Sequence, residues 1–170
     1  MNRELLINRK TILARVKELA EKISSDYAGK EPVLIGVLNG AVFFFSDLVM
    51  GMSIPCKIDF VRAASYGFGT SSSGTVKLTK DVEIPIEGQH LILIEDIVDT
   101  GLTLNRIVKI LKDRGPDSVK ICALIDKLER REEQVVVDYC GFEVKEGFLV
   151  GYGLDCDEQY RYLPDICVLR

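Results

Sequence analysis

Leu91, Ile92, Leu93 and Ile94 form an unbroken apolar run that ends abruptly in two adjacent carboxylates, Glu95 and Asp96. Four apolar residues without alternation fit a strand buried on both faces, as in a parallel sheet. A third acid, Asp99, follows three residues later, and then Thr100-Gly101-Leu102-Thr103. From Thr103 the period changes: Leu104, Ile107, Val108 and Leu111 keep the i, i+3, i+4, i+7 spacing of a helix packed on one side. Gly115 and Pro116 stop that helix. The pattern reads as strand, acidic edge, tight polar loop, helix start.

The same reading runs along the rest of the chain. Leu5 to Ile7 suggest a short strand, and Asn8 is a candidate N-cap for an amphipathic helix marked by Ile12, Val16, Leu19, Ala20 and Ile23, ending near Gly29. Pro32 opens a strand from Val33 to Leu38, and Asn39-Gly40-Ala41 turns it into an apolar helix that reaches about Met50. Further strands are predicted at Cys56 to Val61, Val76 to Leu78, Val119 to Ile125, Val135 to Tyr139 and Ile166 to Leu169. Strands alternating with helices predict an α/β fold with a mostly parallel sheet. The junctions at 38–41 and 95–103 should then open at one edge, the carboxyl ends of the strands, where ligands of such sheets bind.

Composition narrows the class. A length of 170 residues, 47% hydrophobic and 28% charged, suits one soluble globular domain with a real core. Net charge is −4, from 22 basic and 26 acidic residues, which argues against a non-specific nucleic-acid binder. Five cysteines lack CxxC spacing, and neither a signal-peptide pattern nor a membrane-length apolar run is visible, so free thiols in a reducing cytoplasm are expected. His90 is the only histidine, so a metal would be held mainly by oxygen, which favours Mg²⁺ or Mn²⁺.

The acidic loop mixes two chemistries. Free N–H groups at a helix start, the Thr100 and Thr103 hydroxyls and the slim Gly101 favour a phosphate. Carboxylates would repel it, so Glu95 and Asp96 are expected to hold sugar hydroxyls or a hard cation instead. A single acid at a strand end is usually just solvated, but three in this arrangement with Thr-Gly-X-Thr are not. Residues 65 to 75 are dominated by Gly and Ser, the composition of a disordered segment or a functional lid. Lys127 stands just past a buried strand, in a charged run of the kind that is ordinarily solvated.

Glu95-Asp96-Ile97-Val98-Asp99-Thr100-Gly101-Leu102-Thr103 resembles the phosphoribosyl-diphosphate (PRPP) motif of the phosphoribosyltransferases, in wording similar to the hypoxanthine–guanine branch. The resemblance spans about residues 33 to 162 and implies a type I phosphoribosyltransferase fold. That fold has a mostly parallel central sheet flanked by helices and a small hood formed by the chain ends. One domain, 1–170, would carry a lid at about 65–76 and a hood at about 147–170. The implied reaction moves 5-phosphoribosyl from PRPP to hypoxanthine and/or guanine, giving IMP or GMP and pyrophosphate. Implied alongside it are Mg²⁺ (or Mn²⁺), a homodimer or homotetramer, and no nucleic-acid or membrane partner.

The resemblance also assigns residues. Leu38, Asn39 and Gly40 would touch pyrophosphate through backbone amides, although Asn39 stands where some relatives carry lysine. Ser65 and Tyr66 would begin the lid. Glu95 and Asp96 would hold the ribose hydroxyls or reach metal through water, and Asp99 would act as the acid/base. Thr100, Gly101, Leu102 and Thr103, with Asp99, would cradle the 5-phosphate. Lys127 would donate to the exocyclic oxygen of a 6-oxopurine, Phe148 would stack on its ring and the Leu149 carbonyl would accept from its N–H edge. Asp155 would bind Mg²⁺ beside the base, and Arg161 would pair with pyrophosphate. A regulator on the same fold would want a basic face, and a phosphoacceptor domain would want an Asp where Leu38-Asn39 stands.

Overall fold

A computed structural model of the chain describes residues 2–65 and 76–170. In chain order the elements are β1 (Arg3–Ile7), α1 (Arg9–Asp26), β2 (Val33–Val37), α2 (Val42–Met50), β3 (Lys57–Ser65) and β4 (Val76–Lys80). They continue with β5 (His90–Val98), α3 (Leu102–Lys112), β6 (Ser118–Lys127), β7 (Tyr139–Val144), β8 (Phe148–Val150) and β9 (Ile166–Leu169). Among the described residues the strands form two sheets, a six-stranded one in the order β4-β3-β2-β5-β6-β7 and a three-stranded one in the order β1-β9-β8.

Only the β3–β4 pair of the large sheet is antiparallel; β2 pairs in parallel with β3 and β5, and β6 with β5 and β7. The apolar run explains why β5 sits in the middle. Leu91 to Ile94 are all fully buried. Successive side chains of a strand point to opposite faces. Ile92 and Ile94 accordingly join the cluster under α1 and α2, while Leu91 and Leu93 join the cluster under α3. Burial of each such side chain stabilises the fold by roughly 1.5–3 kcal/mol. Helix α1 starts as expected: the Asn8 side chain accepts from the Thr11 N–H at 2.9 Å.

Two of the differences from the sequence expectation bear on the site. β5 does not stop at Ile94; its ladder with β6 continues through Glu95↔Ala123 to Val98↔Asp126, so the acids lie on the strand itself. The loop before α3 shrinks to three residues. The predicted strand at Val135 to Tyr139 is instead β7 at Tyr139–Val144. Val135 and Val137 pack on the α3 side of the core while Val136 is 76% exposed. That alternation is genuine, but among the described residues no strand pairs with it, and the ladder begins only where Tyr139 meets Cys122.

The small sheet joins the two chain ends in antiparallel pairing, β1 with β9 and β9 with β8. It is tied to the rest by the Arg9 N–H, which donates to Asp165 at 2.7 Å. The buried Tyr152 hydroxyl donates to the Asp47 carboxylate on α2 and so fixes the chain beyond β8 against the large sheet's helix layer.

Candidate active site

The parallel strands β2, β5 and β6 end at Val37, Val98 and Lys127, and their following segments open at one edge. After β2, the Leu38 N–H bonds to the Val61 carbonyl at 2.9 Å, and the Leu38–Asn39 peptide is cis. Gly40 then passes directly over the second acid: a Cβ on it would lie 1.9 Å from Asp96 Oδ2. A side chain at position 40 would displace the Asp96 carboxylate, so the 38–40 segment and the acidic pair are built as one surface.

The two acids have local donors. Glu95 Oε1 accepts from the Asp96 N–H at 3.0 Å, and Asp96 Oδ1 accepts from the Ile97 N–H at 2.8 Å. Burial first, and the neighbouring Asp96 charge second, push the Glu95 carboxyl well above the usual carboxylate range. A cation or a diol placed against the pair would relieve that crowding.

Next to them lies a pocket of about 180 Å³ lined by Glu95, Asp99, Thr100, Gly101 and Thr103 over Ile97, Val98 and Leu104. Gly101 takes φ +84° at the N-cap of α3, a left-handed conformation, and a Cβ there would meet the Glu133 carbonyl at 2.7 Å. The N-cap Gly101 has no side chain to cap α3, and the Thr100 hydroxyl accepts only from the first N–H of the helix, that of Leu102, at 3.3 Å. An uncapped helix start facing a polar pocket suits an anion. Asp99 is half committed: Oδ2 pairs with Arg130 at 3.3 Å, while Oδ1 is buried with no hydrogen-bond partner among the described residues. Leaving a buried acceptor unpaired costs about 1–3 kcal/mol, which a ligand donor would recover.

Lys127 is not the solvated side chain its charged neighbours suggest. It is 6% exposed at the last position of β6 and pairs with Glu129 at 3.4 Å. Glu129 also accepts from the Gly147 N–H at 3.2 Å, which ties Lys127 to the start of the C-terminal segment. There Phe148 is 51% exposed and Leu149 is buried. Further along, Asp155 Oδ1 faces Arg161 at 3.3 Å, and Arg161 also holds Glu158 and the Gly153 carbonyl. Of the expected lid, Ser65 is the last residue of β3, and Tyr66 lies outside the described residues.

Sequence reasoning passed over Arg131. Its Nε donates to the Asp99 carbonyl at 2.9 Å, and its Nη2 to the Val98 carbonyl at 3.2 Å, the Lys127 carbonyl at 3.2 Å and the Asp126 carboxylate. One guanidinium thus clamps the end of β5 to the end of β6. No periodicity marks it in a run of charges; only its place four residues after a strand-end lysine could have hinted at it.

A metal fits this donor set only in one form. Among the described residues no three His, Cys, Asp or Glu side chains gather closely enough to cage an ion, so Asp155 is not in one cluster with Glu95 and Asp96. Mg²⁺ needs no such cage: it is commonly held by one or two carboxylates, waters and substrate phosphates.

The family model described as phosphoribosyl transferase domain matches residues 4–157. This chain is a phosphoribosyltransferase. It is 45% identical over 168 residues to a hypoxanthine-guanine phosphoribosyltransferase of Streptococcus thermophilus, covering 99% of this chain and 93% of the relative. It is 41% identical over 167 residues to a hypoxanthine-guanine-xanthine phosphoribosyltransferase of Tritrichomonas foetus, covering 98% and 91%. The crystal structure of a hypoxanthine-guanine phosphoribosyltransferase from Bacillus anthracis superposes with a TM-score of 0.93 at 41% identity, covering 98% of each chain. The type I phosphoribosyltransferase fold expected from the motif is therefore the fold of this phosphoribosyltransferase.

Proposed function

We propose that this phosphoribosyltransferase works in purine salvage, transferring 5-phosphoribosyl from PRPP to N9 of hypoxanthine and/or guanine to give IMP or GMP and pyrophosphate. The observation that carries the reading is the buried Lys127 ammonium at the same sheet edge as the 95–103 pocket. A donor-only group selects an oxygen acceptor and disfavours the amino group of adenine.

The roles follow from charge and position. The uncapped start of α3, with Thr100 to Thr103, holds the 5-phosphate. Glu95 and Asp96 hold the ribose hydroxyls or reach a cation through water. Asp99, whose Oδ1 faces no donor among the described residues, takes the N7 proton as N9 attacks the sugar. Leu38, Asn39, Gly40 and Arg161 take the pyrophosphate. Phe148 stacks on the base, a gain of roughly 1–3 kcal/mol, and the Leu149 carbonyl accepts from its N–H edge. Ser65 and Tyr66 begin a lid that excludes water from an electron-poor sugar. Asp155 would hold Mg²⁺ or Mn²⁺, and Glu95 and Asp96 would reach a metal through water; such an ion would supply positive charge to offset that of the leaving pyrophosphate. The chain works as one domain whose hood is the 147–170 segment, in a homodimer or homotetramer in the cytoplasm. Among the described residues no helix is long and apolar enough to cross a membrane.

The test is pyrophosphate release from PRPP with hypoxanthine, guanine, xanthine and adenine in turn. Turnover of the 6-oxopurines and not of adenine is expected. A failure to release pyrophosphate with any of the four bases would sink the reading, and turnover of adenine alone would sink the assignment of Lys127.

A further inference from the structure

We propose that Glu158 is a displaceable stand-in for pyrophosphate, and that it sets the affinity of the site for the diphosphate group of PRPP. The inference rests on the assignment of Arg161 to pyrophosphate given above.

A guanidinium offers donors along two edges. In Arg161 one edge faces inward: Nη1 donates to the Gly153 carbonyl at 2.7 Å and faces Asp155 Oδ1 at 3.3 Å. The other edge, Nε and Nη2, is the fork that matches two oxygens of a carboxylate or a phosphate. Glu158 fills it bidentately, with Nε to Oε2 at 3.2 Å, Nη2 to Oε1 at 3.1 Å and Nη2 to Oε2 at 3.2 Å. A phosphoryl group approaching Arg161 meets a fork already taken by an anion.

Two observations separate this from an ordinary surface pair. The Arg161 side chain is only 22% exposed while its Glu158 partner is 73% exposed, so the anion lies on the solvent side, where an incoming diphosphate would replace it. Asp157, Glu158 and Tyr160 all take positive φ, at +50°, +61° and +73°, and the Glu158 N–H donates to Asp155 Oδ2 at 2.9 Å. L-residues rarely adopt that conformation, and strained residues gather at ligand clamps and switches. The turn holds Glu158 over the fork through its backbone, while the solvent-exposed ion pair itself is weak and easily exchanged.

The experiment is steady-state kinetics of the full chain with hypoxanthine, comparing E158Q, D157N, R161Q and E158Q/R161Q, with calorimetric titration of inorganic pyrophosphate alongside. E158Q is expected to lower the KM for PRPP about threefold, with kcat and the KM for hypoxanthine unchanged. D157N removes a like charge one residue away without touching Arg161 and is expected to leave the KM for PRPP unchanged. In the R161Q background the gain from E158Q should vanish. A KM for PRPP that stays level or rises in E158Q would overturn the proposal, because Glu158 would then be inert or would prop Arg161 in place. An equal drop in D157N would also overturn it, reducing the effect to net charge. An unchanged PRPP KM and pyrophosphate affinity in R161Q would instead overturn the assignment of Arg161, and the proposal with it.

Discussion

The site has two halves built on opposite principles. The 95–103 region stands on a buried central strand and a three-residue loop, and much of it is held open: among the described residues Asp99 Oδ1 has no partner, and the N-cap of α3 is a glycine with no capping side chain. The 147–161 region lies in and beyond a short strand of the small sheet, and its cation is satisfied from within, Arg161 by the Asp155 and Glu158 carboxylates and the Gly153 carbonyl. A group left unpartnered by the fold is ready for a ligand but costs stability until the ligand arrives. A group that is self-paired costs nothing in the free chain but must exchange partners on binding. The 95–103 half therefore stands open before any ligand comes, whereas the 147–161 half would have to exchange partners to bind one.

If that contrast holds, the largest losses should come from damage to the open half. Asp99→Asn keeps the shape and removes the basic carboxylate, and kcat should fall about 10²–10⁴-fold while nucleotide affinity stays; a wild-type rate across pH would end the acid/base role. Arg131→Gln comes next. It frees the Val98, Asp99 and Lys127 carbonyls and leaves Asp126 without its guanidinium. Loss of orientation of this kind should lower kcat by about 10- to 100-fold, and the unpaired, mostly buried carboxylate should cost about 2 kcal/mol of stability. Thermal unfolding and kcat measured together check both, and Arg131→Lys should restore part of each. A drop in melting temperature with kcat intact would make Arg131 merely structural.

The two halves were unequally legible in the sequence. The apolar run, the acids and Thr-Gly-X-Thr announced a strand, a loop and a helix start because each is a local signal, and the core strands fell where apolar residues cluster. The end of β5 did not, because Ile94 to Val98 remain a strand only through their partners on β6. Val135 to Val137 misled for the converse reason, since their alternation records burial of an extended segment that no strand accompanies. Arg131 and the Glu129 link were illegible because both depend on which segments meet at the edge of the sheet. Self-pairing of Arg161 was hidden likewise: Glu158 reads as one more surface acid until the left-handed turn aims it.

Smaller effects sharpen the same contrast. Thr103→Ala, in the open half, should raise the KM for PRPP about tenfold by removing one donor to a charged phosphate, with kcat little changed; an unchanged KM would reject the phosphate cradle. Glu129→Gln is the mildest. Glu129 is the group that touches both the Lys127 ammonium and the Gly147 N–H. It is half exposed, so its charge is screened and its pair with Lys127 is weak. The substitution should therefore raise the KM for hypoxanthine by only about two- to threefold, leaving the KM for PRPP as it was, because the 95–103 pocket makes no use of it. A parallel rise in both constants would mean that the halves are one rigid unit and that the base side is as preset as the phosphate side.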